Sequence, residues 1–436
     1  MILLKMIFGM ITTYLLYVLI RRFLKGNKNI VFFPLIVLYI FNVIPVLLDV
    51  FIGRPEYRSY RIGFINSQDD FHTELVYLII ILYIFFLLFR FQGKYIFFMN
   101  FQESFKNNTI KVITFMGYFA MIIIVVVSLL TPYRSAIIQY EMRFVTDSVG
   151  SMLKNLGIFL VLICLLILFI EKRCQMFWVK FLSILPFAIW GIMINGKKAV
   201  FFIFVSGIIL AVLLNDVFGK TSFKVLFIIL SLMSMILYLN FYSSVYGQEQ
   251  DDFQVEYESF RVEYGRDDTL KTVIYDEIND DNNSILEYRG QTFLFYISTV
   301  LFIRREAWQK KPYPYAIYFT SYYTGHSSLS LLNYTMTTSI IDEFVSNLGF
   351  IGVAILPFIL VWFLKVIMKS VSNDGNNLND RILSQIVVLV GIVLIMLLFA
   401  VQISAFIYLW IVYILLLLVL RFTNKYRIVF GRLGRR

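Results

Sequence analysis

Apolar positions along the chain fall in long unbroken runs. They show neither the alternation of a half-buried strand nor the narrow stripe of a surface helix. A helix needs about 20 mostly apolar residues to cross the hydrocarbon core of a membrane. Eleven such runs occur, at about 2–20, 29–52, 75–90, 112–131, 149–170, 177–195, 199–216, 224–242, 340–363, 382–401 and 403–420. The last two form one stretch, divided at Ala400-Val401-Gln402-Ile403, where a tight turn is predicted. The third run is short, and only Asn195-Gly196-Lys197-Lys198 parts the sixth from the seventh, so the expected number is 10–12. The pattern predicts an all-α polytopic integral membrane protein with about 11 transmembrane helices. Arg21 and Arg22, not a small-residue cleavage site, follow the first run, which reads as a retained helix.

Composition supports this. Of 436 residues, 59% are hydrophobic and 15% charged, and the mean hydropathy is +0.77. A water-soluble fold has too little interior to hide so much apolar side chain. The net charge of +11 would suggest nucleic acid in a soluble protein. In a membrane protein Lys and Arg collect in cytoplasmic loops, so no nucleic acid is expected. Two cysteines, Cys164 and Cys174, lie in or beside an apolar run and do not form a disulfide framework.

Basic residues set the orientation. Strict alternation gathers the loops bearing Arg21, Arg22, Lys25 and Lys28; Arg90 and Lys94; Lys172 and Arg173; Lys365 and Arg381; and the Arg421–Arg436 tail on one side. That side reads as cytoplasmic. The N-terminus is then outside and the C-terminus cytoplasmic, in a bacterial inner (plasma) membrane. The organisation expected is a transmembrane bundle over 1–242, a large external loop over 243–339, further helices over 340–421 and a basic tail over 422–436. At about 95 residues the loop exceeds ordinary connections, so it is expected to be partly folded. It carries 14 acidic and 8 basic residues and many tyrosines.

Ionisable groups deep in a span usually mark ion pathways. The sequence shows few, with Asp49 and Asp216 near span ends, so the polar chemistry is expected outside the bilayer. Lys197 and Lys198 sit in a short external turn, against the positive-inside trend. They either snorkel to lipid phosphate or form a cationic site for a lipid-linked phosphate. The large loop adds Arg261, Arg266, Lys271, Arg289 and the run Arg304-Arg305-Glu306-Ala307-Trp308-Gln309-Lys310-Lys311-Pro312-Tyr313-Pro314-Tyr315. Guanidinium suits phosphate. Trp308, Tyr313 and Tyr315 either stack on sugars or anchor the loop at the interface. Arg266 and Lys271 read as local partners of Asp267 and Asp268. Arg54, in the first external loop, either contacts substrate or pairs with Glu56. His326 titrates in the right range for a general base. Asp342 and Glu343 open a helix, where carboxylates are favoured. Gly349 and Gly352 suit close helix packing. Metal-ligand spacings and a P-loop are absent from the sequence, so no metal or other cofactor is expected. The adjacent acids Asp267-Asp268 read as a strand pair facing opposite ways.

These features resemble the oligosaccharide repeat unit polymerases, the Wzy-type O-antigen and capsule polymerase family. The many-span layout with one large external loop before the last helices is similar. Gly196-Lys197-Lys198-Ala199 resembles the family's Gly-Ser-Arg-like turn. Glu343, Asn347-Leu348-Gly349 and Gly352 resemble its Glu-x-x-x-Asn-Phe-Gly-x-x-Gly helix opening, with Leu348 replacing Phe. The Arg304–Pro314 segment partly resembles its Pro-Arg-x-x-Trp-Pro-x-Lys-Pro run, with Ile303 and Gln309 in place of the two prolines. The resemblance implies the O-antigen polymerase/ligase (GT-C-like) architecture. It also implies transfer of a growing glycan from undecaprenyl pyrophosphate to a new lipid-linked repeat unit, without metal. The implied partners are undecaprenyl-pyrophosphate-linked oligosaccharide, as donor and acceptor, membrane lipid, and a chain-length regulator protein. Lys197, Lys198, Arg289, Arg304, Arg305, Lys311 and Arg54 would then meet the pyrophosphates. Trp308, Tyr313 and Tyr315 would stack on sugar, and His326 or Glu343 would be the base. The alternatives are an O-antigen ligase with the same donor, a flippase for the lipid-linked unit, and a non-catalytic export or sensor protein.

Overall fold

The computed structural model describes residues 1–25, 29–57, 60, 62–91, 107–145, 147–171, 174–215, 217–245, 253–279, 289–324, 336–372, 378–400 and scattered positions between 403 and 418. The described residues are almost entirely helices and turns. Six helices are long and apolar enough to cross a membrane: Ile2–Leu24, Phe32–Phe51, Phe71–Phe91, Met152–Phe169, Gln175–Asn195 and Phe350–Ile367. Shorter apolar helices cover Thr114–Leu129, Val200–Leu213, Thr221–Met235 and Val390–Ala400. Phe115, Met116, Phe119, Ile122, Ile123 and Val126 all lie exposed on one helix. Such a surface is stable against lipid and not against water. The chain is a multi-pass α-helical membrane protein.

The chain forms two compact units. One joins residues 1–97 to 250–436, and the other is 98–249. The bundle expected over 1–242 includes residues of both units. The second unit holds α5 (Asn107–Leu129), α6 (Arg134–Ile138), α7 (Ser148–Ile170), α8 (Cys174–Asn195), α9 (Lys198–Asn215) and α10 (Thr221–Val245). Here α7 and α8 cross at glycine: a Cβ on Gly157 would lie 2.6 Å from the Gly191 carbonyl oxygen. Small residues that let backbones touch are a usual device of membrane helix pairs. Cys164 is buried and free in this unit.

The first unit begins with α1 (Ile2–Leu24), α2 (Phe32–Phe51), α3 (Ile62–Asp69) and α4 (Phe71–Phe91). It continues with α11 (Phe253–Tyr264), α12 (Asp267–Asn279), α13 (Gln291–Val300), α14 (Tyr315–Thr324), α15 (Ile340–Leu348), α16 (Phe350–Ser372) and α17 (Leu378–Ala400). The large loop therefore folds into four short helices among the described residues, and α12 packs against α3, α4 and α15.

A defect in α2 receives this loop. Pro45 has no N–H, so it cannot serve the carbonyl four residues earlier, that of Phe41. A π-helical turn at Tyr39–Val43 further loosens the ladder. The freed carbonyls take donors from elsewhere. The Arg266 backbone N–H donates to Phe41 at 3.0 Å. Tyr264 Oη donates to the Ile40 carbonyl at 2.8 Å, and Tyr77 Oη to that of Asn42 at 2.6 Å.

The expected span at 340–363 is two helices. Ser339 caps α15 in a capping box with Asp342, and Gly349, at φ 61°, ends it. A Cβ on Gly349 would lie 2.6 Å from both Arg289 Nη1 and Glu277 Oε1, so left-handed geometry and crowding both require glycine. Gly352 then turns α16 against the Phe344 carbonyl oxygen, 2.3 Å from where a Cβ would sit. The obstacle is backbone, which cannot swing aside. Gly352→Ala is expected to cost about 1–3 kcal/mol, as overpacking does. A thermal unfolding midpoint in detergent lower than that of the native protein checks this.

Candidate functional site

Four short segments of the first unit converge on a buried ion network. Lys5, near the start of α1, places Nζ 3.0 Å from Asp49 and 3.2 Å from Glu74. Asp49 is near the end of α2, and Glu74 near the start of α4. From the large loop, Arg261 reaches Asp49 at 2.8 Å, Asp267 at 2.7 Å and Asp268 at 3.3 Å. It also donates to the Pro45 carbonyl at 2.7 Å. Lys271 reaches Glu74 and Asp267, both at 3.2 Å. Tyr57 Oη donates to Asp268 at 2.6 Å. Three cations thus face four acids.

Sharing partners lets these charges survive burial. Burial works against the Lys271 ammonium, yet Glu74, Asp267 and Asp49 outweigh it and hold its pKa above the usual value. The Arg261 guanidinium is held up in the same way by Asp267, Asp268 and Asp49. The Asp268 carboxyl is pushed up, first by burial and then by Asp267.

The expectations for this region change accordingly. Arg54 was assigned to a pyrophosphate, but its guanidinium meets Glu74 at 2.7 Å, Asp69 at 3.2 Å and Asp49 at 3.6 Å. An incoming phosphate would have to displace three carboxylates. Asp267 and Asp268 open a helix, not a strand, and both turn toward Arg261. Lys271 pairs with Asp267 as expected. Arg266 instead donates to the Ala400 carbonyl at 2.8 Å and lies over the Phe41 ring, and burial pulls its pKa down to about 10. Sequence reasoning missed Lys5 and Glu74. Their signal was present, because each is a lone charge in the end turn of an apolar helix.

A second constellation runs along α15. Its neighbour α13 lies antiparallel, one bond per turn. Thr292 Oγ1 donates to Asn347 Oδ1 at 2.6 Å, and Tyr296 Oη donates to Glu343 Oε2 at 2.6 Å. Arg289 pairs with Glu277 beside Gly349. Glu343 is fully buried, and burial pushes its carboxyl up to about 8. Its neighbour Asp342 is pushed up to about 7 for the same reason.

The cationic turn follows the Tyr296 end of α13. Arg304 is exposed. Arg305 lies 3.9 Å over the Tyr313 ring and donates to the Pro312 carbonyl at 3.1 Å. Lys311 donates to the Ile303 carbonyl at 2.7 Å and lies over Phe295. Trp308 is half-buried. One sugar-stacking expectation fails on geometry. Tyr315 is fully buried in α14 beside Phe319 and accepts a bond from Ser346. Arg305 covers a face of Tyr313. His326 lies outside the described residues.

Lys197 and Lys198 belong to the second unit. Gly196, at φ 70°, makes the turn, Lys197 is exposed, and Lys198 is the first residue of α9. Lys154, on α7, lies close enough to Lys197 to feel its charge. Sequence reasoning missed this third cation.

No family model matches the chain, and neither the curated proteins nor the solved structures provide a match.

Proposed function

We propose that the protein is a membrane-embedded glycosyltransferase that polymerises undecaprenyl-pyrophosphate-linked repeat units at the outer face of a bacterial inner membrane. The observation that carries this reading is the buried Glu343 carboxyl. It is poised near neutral pH, held by Tyr296, and sits on the same helix pair as the cationic turn. A general base works best when its pKa lies near the working pH. In the reaction the acceptor hydroxyl oxygen bonds to the anomeric carbon of the growing glycan. The bond from that carbon to pyrophosphate breaks, and the hydroxyl proton passes to Glu343. Negative charge develops on the leaving pyrophosphate, where Arg304, Arg305 and Lys311 supply cations; Arg289 lies at the other end of α13, about 15 Å along the helix. The sequence pattern alone assigns Lys197 and Lys198, on the second unit, to lipid-linked phosphate. The eleven-span, N-terminus-outside topology is part of this proposal. The ion network supports the alternation of the first eight spans, which puts Lys5, Asp49, Glu74 and the loop residues Arg261–Lys271 on one side.

The buried network also bears on the flippase alternative. The position of the charges argues against transport, since they sit at helix ends and pair with one another, whereas a translocation path needs them at mid-depth.

Deleting the gene and running surface glycan on a gel separates the readings. A polymerase predicts a single attached repeat unit with the ladder gone. Loss of all attached glycan, with lipid-linked polymer accumulating, indicates a ligase. Single units trapped on the cytoplasmic face indicate a flippase. In the restored strain, Lys198→Ala or Arg305→Ala is expected to reduce polymer by about 10²-fold or more at unchanged membrane levels. Normal polymer lengths would remove those residues from the site.

A further inference from the structure

The helix α13 has two opposed faces. Thr292 and Tyr296 tie one face to α15. On the opposite side, Leu294, Ile297 and Leu301 are exposed at 49%, 56% and 63%. Phe302 follows at 71% exposure, with φ 55°, a left-handed conformation normally taken by glycine at a helix end. The backbone thus presents a large aromatic ring outward from the tip. Cations follow at once, and both Arg304 and Lys310 are exposed.

This element is too short to span a bilayer, since ten residues of helix rise only about 15 Å. Its position is nevertheless set. It runs beside α15 at residues 343–347, and α15 passes through Gly349 directly into the membrane-crossing segment at Phe350. The Thr292 end of α13 therefore lies within about one helix turn of the start of that segment. A helix with an exposed apolar face, followed by cations and held at one end beside a membrane-crossing segment, meets the requirements for lying in the interface of an anionic membrane.

We infer that α13 and the turn after it form an interfacial anchor: Leu294, Ile297, Leu301 and Phe302 enter the acyl boundary, while Lys310 engages anionic lipid headgroups. The large loop is then held on the membrane surface, not projected into water. This holds for any activity of the chain and does not rest on the glycan reading.

The test uses the full chain with Cys164→Ala and Cys174→Ser. Single cysteines are introduced as Ile297→Cys, Phe302→Cys and, as an aqueous control, Glu306→Cys. Each is labelled with an environment-sensitive fluorophore and reconstituted in phosphatidylethanolamine vesicles with phosphatidylglycerol. Brominated lipid is expected to quench positions 297 and 302 severalfold more than 306, and iodide to quench 306 preferentially. Iodide quenching of all three alike would overturn the anchor. So would protection of 297 and 302 from both quenchers, which would mean that protein covers the face. Omitting phosphatidylglycerol is expected to reduce lipid quenching at 302, and Lys310→Glu to do the same. Unchanged quenching would overturn the headgroup contacts. The positions at 297 and 302 report independently, so misfolding of one variant leaves the other decisive.

Discussion

Arg261→Met is expected to destabilise the protein by about 3–5 kcal/mol, the cost of stripping a partner from buried charges. The guanidinium holds Asp49, Asp267 and Asp268, and none of the three can turn to water. Taking an ion out of water costs several kcal/mol, and only multiple short contacts offset that. The network as a whole therefore adds little net stability over a well-packed apolar equivalent. We propose that its effect is specificity, docking α12 on α2 and α4 in one register. Two measurements follow. Thermal unfolding in detergent should show the loss for Arg261→Met. The pair of variants Arg261→Met and Asp267→Leu should cost less together than the sum of each alone, because the shared contact is removed only once. Additive losses would show that the charges are not coupled.

Glu343→Gln is expected to abolish polymer formation while leaving the fold intact, because the amide mimics the protonated carboxyl that burial favours. The pH dependence separates a base from a structural residue. Glu343 must lose its proton to accept another, so the native rate should rise with pH through about 8. Stability runs the other way. The folded carboxyl holds its proton up to about 8, while the unfolded one loses it near 4.5. The stability this confers is complete below the unfolded value and is lost as pH rises through the folded one. The native unfolding midpoint should fall across that window, and Glu343→Gln should flatten the Glu343 contribution. A variant that still makes polymer would leave the carboxyl as a core residue and return the base to His326.

Much of the helix layout was legible because span-length apolar runs leave few alternatives. Helices cover most of each of the first eight intervals read from the pattern, and Leu378–Ala400 covers most of 382–401. The loop was legible as a folded element from its length alone. The break at Gly349 was not, because an apolar run through Phe350 hides a change of backbone direction that one glycine permits. The ion network stayed hidden for a tertiary reason. Lys5, Asp49 and Glu74 are each a single charge near a helix end, and nothing local says that they meet. Pro45 was the missed clue, since its lost N–H advertises a carbonyl that another segment must serve. Tyr315 was misread for composition: a tyrosine-rich run suggests an interface. Yet Tyr315, Phe319 and Tyr323 recur every four residues, and that stripe forms the buried face of α14.

The most direct test of the central claim is reconstitution. The purified protein in vesicles is mixed with undecaprenyl-pyrophosphate-linked repeat units extracted from its own host, without ATP or added metal. Polymerisation predicts a ladder of longer lipid-linked glycans and one free undecaprenyl pyrophosphate for each unit joined. Units that remain single, in vesicles where the protein is folded, would contradict the assignment.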